Sequence, residues 1–339
     1  MKLRRTAIAL AVSALFLYLA FRQSDFDQVF GRILEVKVGP LLAGVVVLLI
    51  TYAVRALRWR VLLLQTGRPS LHSLFGAIMI GFMSLNLLPF RLGEFIRAYV
   101  LGRKEGLSKS AVFATIVVER IFDGFTVLFI GLVSMVWLSM PSSTRNLAWI
   151  KVLAGMGALV YLVALAGVVL IRMKRALILR LAGFFLQWTP RLQGRVMGVI
   201  GSFAEGLSTI SSVRAFLAVL FYSLLVWGMS AASYWMVMFS FPVGATSLGA
   251  QVGFPGALFL LAALALGVMV PAGPAFVGTY ELACVAALTA LGQEGVAPSY
   301  ALVAHAVQFF PVTLIGIGYL YFQHLSFKEI QAGGEEEVV

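Results

Sequence analysis

The stretch LPFRLGEFIR, Leu88 to Arg97, sets two arginines and a glutamate into apolar sequence, and its reading decides the fold. The chain around it is close to hydrocarbon. Of 339 residues, 61% are hydrophobic and 12% charged, against roughly 45–50% and about 25% in an ordinary soluble domain. Runs such as TAIALAVSALFLYLAF (6–21), LLAGVVVLLITYAV (41–54) and VLAGMGALVYLVALAGVVLI (152–171) approach or reach the ~20 residues that cross a hydrocarbon core of about 30 Å. A spanning segment must satisfy its own backbone hydrogen bonds, so each is a helix.

Three features limit the alternatives. The opening MKLRR precedes an apolar run like a secretory signal, but no small-residue cleavage site follows, and the first helix is read as retained. The single cysteine, Cys284, excludes both a disulfide framework and a thiolate metal site. The net charge of +12 is the excess of lysine and arginine that orients membrane proteins, so nucleic acid is not expected as a partner.

Starting with MKLRR inside, Thr6–Phe21 runs outward and Gly39–Val54 returns, delivering Arg55, Arg58, Arg60 and Arg68 to the cytoplasm. Leu71–Leu88 then enters the bilayer, yet Arg103, Lys104 and Lys109 follow too soon for an exit on the far side. The expectation is a re-entrant hairpin open to the inside, with NLLPFRLGE at its tip. Ala111–Leu138 runs outward and Trp149–Ile171 returns to the basic RMKR. Residues 172–214 form a cytoplasmic amphipathic linker on the membrane surface, and Phe216–Phe241 goes out. Between Val243 and Ser299 there is no lysine or arginine, and two apolar runs flank VPAGPAFVGTYE. These make a second hairpin, open to the outside, with Pro271 and Gly273 at its bend as Pro89 is in the first. Ser299–Phe322 brings the chain back inside.

Of the 26 basic residues, this scheme puts 18 inside, 5 outside and 3 (Arg91, Arg97, Arg120) within the membrane, which supports N-in and C-in. The fold expected is an all-α integral membrane protein, about six full transmembrane helices plus two re-entrant helical hairpins arranged as an inverted repeat. It forms a single transmembrane domain over 1–330, with halves at about 1–140 and 148–325, followed by a disordered acidic tail, 331–339. The echo of Pro89-x-x-x-Gly93 then Glu94 in Pro274-x-x-x-Gly278 then Glu281 falls at corresponding places in the two halves, where transporters build binding sites.

Proline and glycine make both tips non-helical, tolerated at depth only if buried in protein or facing water. The helices that restart at Gly93-Glu94 and Gly278-Thr279 aim free N–H groups and a positive dipole end inward, an anion site. Arg91 and Arg97 add forked donors suited to phosphate. In VVERIFDG, Glu119 and Asp123 share a helix face with Arg120 about 100° round from Glu119. Three cations (Arg91, Arg97, Arg120) against three anions (Glu94, Glu119, Asp123) also fit a plain neutralising network, which stays open beside a binding site. Glu281 is favoured at a helix start whether or not it binds anything. His305 is either a packed core histidine or a proton carrier.

Leu85–Asp123 (LNLLPFRLGEFIRAYVLGRKEGLSKSAVFATIVVERIFD) together with Val270–Gly292 (VPAGPAFVGTYELACVAALTALG) resembles the flippase-like family of the lysylphosphatidylglycerol synthase transmembrane region, and RALRWRVLL, Arg55–Leu63, is similar to its second helix. The resemblance implies a multi-pass protein of the bacterial cytoplasmic (inner) membrane whose partners are lipids: an anionic phospholipid, a polyprenyl-phosphate-linked lipid or a hopanoid-type lipid. It implies Arg91, Gly93, Glu94, Arg97, Glu119, Arg120 and Asp123 as the charged site, with Pro274, Gly278 and Glu281 in the second hairpin. Some relatives carry a soluble transferase domain; here the chain stops soon after its last helix, so handling of a finished lipid is expected rather than synthesis. No His-Glu-x-x-His or Gly-x-Ser-x-Gly constellation appears, and His72, His305 and His324 are scattered, so neither an enzyme nor a metal or cofactor is expected. The leading expectation is a lipid translocase and the alternative a proton- or ion-coupled transporter of a soluble solute; monomer and homo-oligomer stay open.

Overall fold

The computed structural model describes residues 2–88, 92–138, 212–270 and 273–323, with Leu159, 325–327 and 329–330 besides and only the backbone of 2–10, and among the described residues ten α-helices carry almost all of the regular structure. The expected span Trp149–Ile171 apart from Leu159, nearly all of the linker 172–214, the acidic tail, and Pro89, Arg91, Pro271 and His324 lie outside those residues. The helices are α1 (Lys2–Phe21), α2 (Phe26–Leu34), α3 (Val38–Leu62), α4 (Leu71–Leu87), α5 (Gly93–Glu105) and α6 (Lys109–Trp137), then α7 (Val213–Phe239), α8 (Leu248–Gly267), α9 (Thr279–Ala290) and α10 (Ala297–Phe322). A two-residue hairpin pairing Pro242–Val243 with Thr246–Ser247 turns the chain from α7 into α8.

Four of these helices, α3, α7, α8 and α10, are long and apolar enough to cross a membrane. The protein is an all-α membrane protein. Serines start four helices by accepting a backbone N–H: Ser70 at α4, Ser108 at α6, Ser212 at α7 and Ser247 at α8, each cap worth about 1 kcal/mol. Gly106, at φ 66°, ends α5 in the left-handed conformation that a side chain resists. Large apolar side chains such as Val46, Ile50, Phe129, Phe221 and Leu314 face outward, as lipid contact requires. Small α2 is two-sided, with Val29 buried and Phe26, Phe30 and Leu34 exposed.

The helices pack in two matching sets. In the first, α3 packs on α4, α4 on α5 and α5 on α6; in the second, α7 packs on α8, α8 on α9 and α9 on α10. The sets interlock, since α4 also lies against α10 and α8 against α6. Between them α3 and α7 form the most extensive contact, running antiparallel: Gly44 meets Val237 and Ser233 near one end, and Arg58 reaches Ser223 near the other. Ser233 Oγ donates to the Gly44 carbonyl at 2.8 Å.

The two helical hairpins, α4–α5 and α8–α9, are closed by small residues at matching positions. A Cβ on Gly81 would lie 2.8 Å from Arg97 Cβ and 3.0 Å from Gly93 O; a Cβ on Gly267 would lie against Ala283 Cβ and 3.1 Å from Thr279 O. Gly81, Gly93 and Arg97 have the same spacing as Gly267, Thr279 and Ala283. The second arms are short. At 1.5 Å per residue, the 13 residues of α5 and 12 of α9 reach only about 20 and 18 Å.

Candidate functional site

Site geometry follows from one face each of α3, α5, α6 and α7. On α3, Tyr52, Arg55, Arg58 and Trp59 recur at helical spacing and are all buried. On α6 the buried pair is Glu119 and Asp123, with Arg120 between them and half-buried. Ser223, Trp227, Ser230 and Tyr234 line the facing side of α7.

Arg97 of α5 is paired through both terminal nitrogens, while its Nε has no hydrogen-bond partner among the described residues. Its two terminal nitrogens donate to Glu119 Oε1 and Oε2 at 3.1 and 2.8 Å, and its guanidinium lies 3.7 Å from the centre of the Trp59 ring. Trp59 is fixed in turn by donating to Thr115 Oγ1 at 2.9 Å. Arg58 bridges both carboxylates, 3.0 Å from Glu119 Oε1 and 2.5 Å from Asp123 Oδ1, and donates to Ser223 Oγ at 3.0 Å. Arg120 reaches Glu119 at 2.7 Å, Asp123 at 3.3 Å and, more loosely, Glu94 at 3.9 Å. Trp227 donates to Asp123 Oδ1 at 2.8 Å. Forked, charge-assisted contacts of this kind are the strong ones.

One guanidinium differs from the rest. Arg55 is only 8% exposed, yet it makes no hydrogen bond or ion pair with any described residue. It is held instead over the rings of Trp227, Phe82 and Tyr52, 5.4–5.8 Å from their centres, where ring quadrupoles attract a cation. It lines a cavity of about 460 Å³ bounded by α3, α4, α6, α7 and α8, with Glu94 of α5, Tyr280 of α9 and Gln308 of α10 closing it. Arg120, Glu94 and Asp123 reach the same cavity, and Leu261, Leu264, Val268 and Met269 supply an apolar wall.

These contacts correct two expectations. Arg55 and Arg58, assigned to the cytoplasm, are buried inside the bundle because α3 runs on to Leu62, a full two turns past Val54. The balance of three against three therefore fails: among the described residues Arg55, Arg58, Arg97 and Arg120 face Glu94, Glu119 and Asp123. Arg97 belongs to the neutralising network rather than to an open clamp, and Arg91 lies outside the described residues.

The second hairpin gathers its own set. The tip turns through Pro274–Phe276, with Ala275 and Phe276 both at positive φ (58° and 59°). Gly273 N donates to Ser13 Oγ of α1 at 2.9 Å, and Gly278, at φ 93°, passes so close to the Ser13 carbonyl that a Cβ would collide with it. Glu281 Oε2 accepts from Gly278 N at 2.7 Å, so the start of α9 is capped by its own carboxylate and is not an open anion site. At α5 no side chain caps the start. His305 of α10 stands between Glu281 Oε1 at 2.5 Å and the Ala275 carbonyl at 3.0 Å, stacked 4.3 Å from Tyr280. Tyr280 and Phe276 also face the cavity.

Residues 6–316 match the lysylphosphatidylglycerol synthase transmembrane region. The chain belongs to that family. Among curated proteins it is similar to the glycosyltransferase AglD of Haloferax volcanii, 26% identical over 338 residues that cover 92% of this chain and 52% of that one. It is also similar to the UPF0104 membrane protein MJ1595 of Methanocaldococcus jannaschii, 22% identical over 176 residues, 50% of this chain and 52% of the other. The chain thus spans about half the length of each of these relatives. No solved structure matches it.

Proposed function

We propose that this family member is a lipid translocase, which binds the phosphate of an anionic or phosphate-bearing lipid in the cavity lined chiefly by α3, α4, α6, α7 and α8 and passes it between leaflets. The observation that carries the reading is Arg55: a buried guanidinium turned to a cavity without an acceptor is costly unless an anion arrives to meet it. Arg120, whose side chain is 31% exposed, is the second donor within reach. The cavity has the size of a ligand site, and its leucine-rich wall suits the first carbons of an acyl or prenyl chain.

Membrane placement fits the same reading. The second arms α5 and α9, at about 20 and 18 Å, are too short to cross a 30 Å core, which favours reading α4–α5 and α8–α9 as re-entrant hairpins even though α8 by itself is long enough to span. The matching helix pairings, set antiparallel across α3 and α7, support reading the halves as an inverted repeat, the arrangement on which alternating access is built. The family match to a synthase's membrane region and the relative named a glycosyltransferase both favour lipid as the cargo.

The test is leaflet exchange of a labelled anionic phospholipid in reconstituted vesicles. Arg55→Leu and Arg120→Gln are expected to slow exchange at least about tenfold, the worth of one charge-assisted contact. Exchange at the wild-type rate by folded Arg55→Leu protein overturns the proposal. Uptake of a soluble organic anion without lipid exchange would move the conclusion to a soluble-solute transporter.

A further inference from the structure

The geometry points to a proton-binding site shared by His305 and Glu281, which latches the tip of the second hairpin and couples passage through the cavity to a proton. This rests on the translocase reading for its purpose, though not for its chemistry.

The inference begins with a proton count. Ala275 O is a carbonyl and can only accept, so His305 Nε2, 3.0 Å away, must carry a hydrogen. Nδ1, 2.5 Å from Glu281 Oε1, then needs a hydrogen between it and the carboxylate. Whichever atom holds it, the pair contains one proton more than a neutral imidazole and a carboxylate. When that proton leaves, a single N–H remains for two acceptors. Either Glu281 or Ala275 must then face a lone pair.

The second observation is what the proton holds. Ala275 and Phe276 sit in the left-handed region, which costs non-glycine residues of order 1–3 kcal/mol each. The turn is kept there by His305 on the Ala275 carbonyl, by Thr279 Oγ1 donating to the Phe276 carbonyl at 2.9 Å, and by Ser13 on Gly273. Phe276 forms part of the cavity wall. Losing the His305 contact therefore loosens a strained segment that borders the site.

Few other titratable groups face the pair. From α9 there is Tyr280, stacked on the imidazole, with Cys284 buried one turn along; from α7 there is Tyr234, whose hydroxyl lies 3.4 Å from that of Tyr280. α1 offers Ser13 at the turn. Among the described residues of α2, α3 and α4, no charged side chain forms an ion pair with His305 or Glu281.

Hydrogen–deuterium exchange of the full chain in lipid nanodiscs, read on peptides covering residues 273–282, tests this without any transport substrate. With the intrinsic pH dependence of exchange divided out, wild-type protection is expected to fall about tenfold as pH rises, the worth of one buried hydrogen bond. His305→Gln, which keeps a hydrogen-bonding group but removes the imidazole, is expected to lose that pH dependence, and Glu281→Gln, which leaves the imidazole without its carboxylate partner, is expected to change its slope or midpoint. A flat wild-type profile, the wild-type slope in His305→Gln, or an unchanged profile in Glu281→Gln overturns the latch. A titrating tip in a protein that moves no lipid refutes the translocase reading alone.

Discussion

Arg97→Leu and Arg55→Leu delete the same charge from neighbouring buried positions and should have opposite consequences. Arg97 makes two hydrogen bonds to Glu119 and rests on Trp59; removing one partner of such a buried pair costs about 3–5 kcal/mol, because the carboxylate is left short of donors. Arg58 and Arg120 still contact Glu119, so the lower end of that range is expected. Arg55 strands no partner when it goes. Its loss forfeits three ring contacts of about 0.5–2 kcal/mol each and the through-space attraction of Asp123, and relieves the desolvation of a charge that no hydrogen bond offsets, which is of several kcal/mol. The net change should lie within about 1 kcal/mol of zero or be stabilising. Equilibrium unfolding in mixed micelles, followed by circular dichroism, gives both numbers on one scale. Equal destabilisation would mean that Arg55 has an acceptor in the folded protein, and the case for an open anion site would fail.

Other substitutions probe the scaffold. Gly93→Ala should destabilise by about 1–3 kcal/mol or more, since its Cβ would overlap the Gly81 carbonyl and lie 2.6–2.7 Å from Leu85 atoms; Gly228→Ala, with nothing within 4 Å, should instead gain up to about 1 kcal/mol, and thermal unfolding separates them. Trp227→Phe removes the indole donor from Asp123 and should cost about 1–3 kcal/mol, read by the same mixed-micelle unfolding. In a Cys284→Ser background, an impermeant maleimide should label Ala245→Cys in intact cells and Gln65→Cys only after lysis; the reverse pattern would refute the N-in orientation.

Much of the architecture was legible because lipid imposes simple rules. Apolar runs marked α3, α7 and α10, and the helix restarts at Gly93 and Thr279 fall where Pro-x-x-x-Gly placed them. The charged face of α6 was also readable, since Glu119 and Asp123 can only share a side. Arg55 and Arg58 were missed because a run of three arginines after an apolar segment is the ordinary signature of a membrane boundary. The spacing of Arg55, Arg58 and Trp59 on one helical face was the available signal. Nor does composition tell which buried cation has a partner: Arg97 and Arg55 read alike in sequence, and only the approach of α5 to α6 distinguishes them. The Glu281–His305 contact joins residues on different helices, and no local pattern announces it.

Asp123 receives Arg58 from α3 and Trp227 from α7 while itself belonging to α6. Under the proposed alternating access, rocking of one half against the other would stretch this three-way knot, and its rupture would set an activation barrier. A motor tied in this way would run with a steep temperature coefficient, and loosening the knot by one hydrogen bond would raise its idling speed while blurring the distinction between its two resting positions.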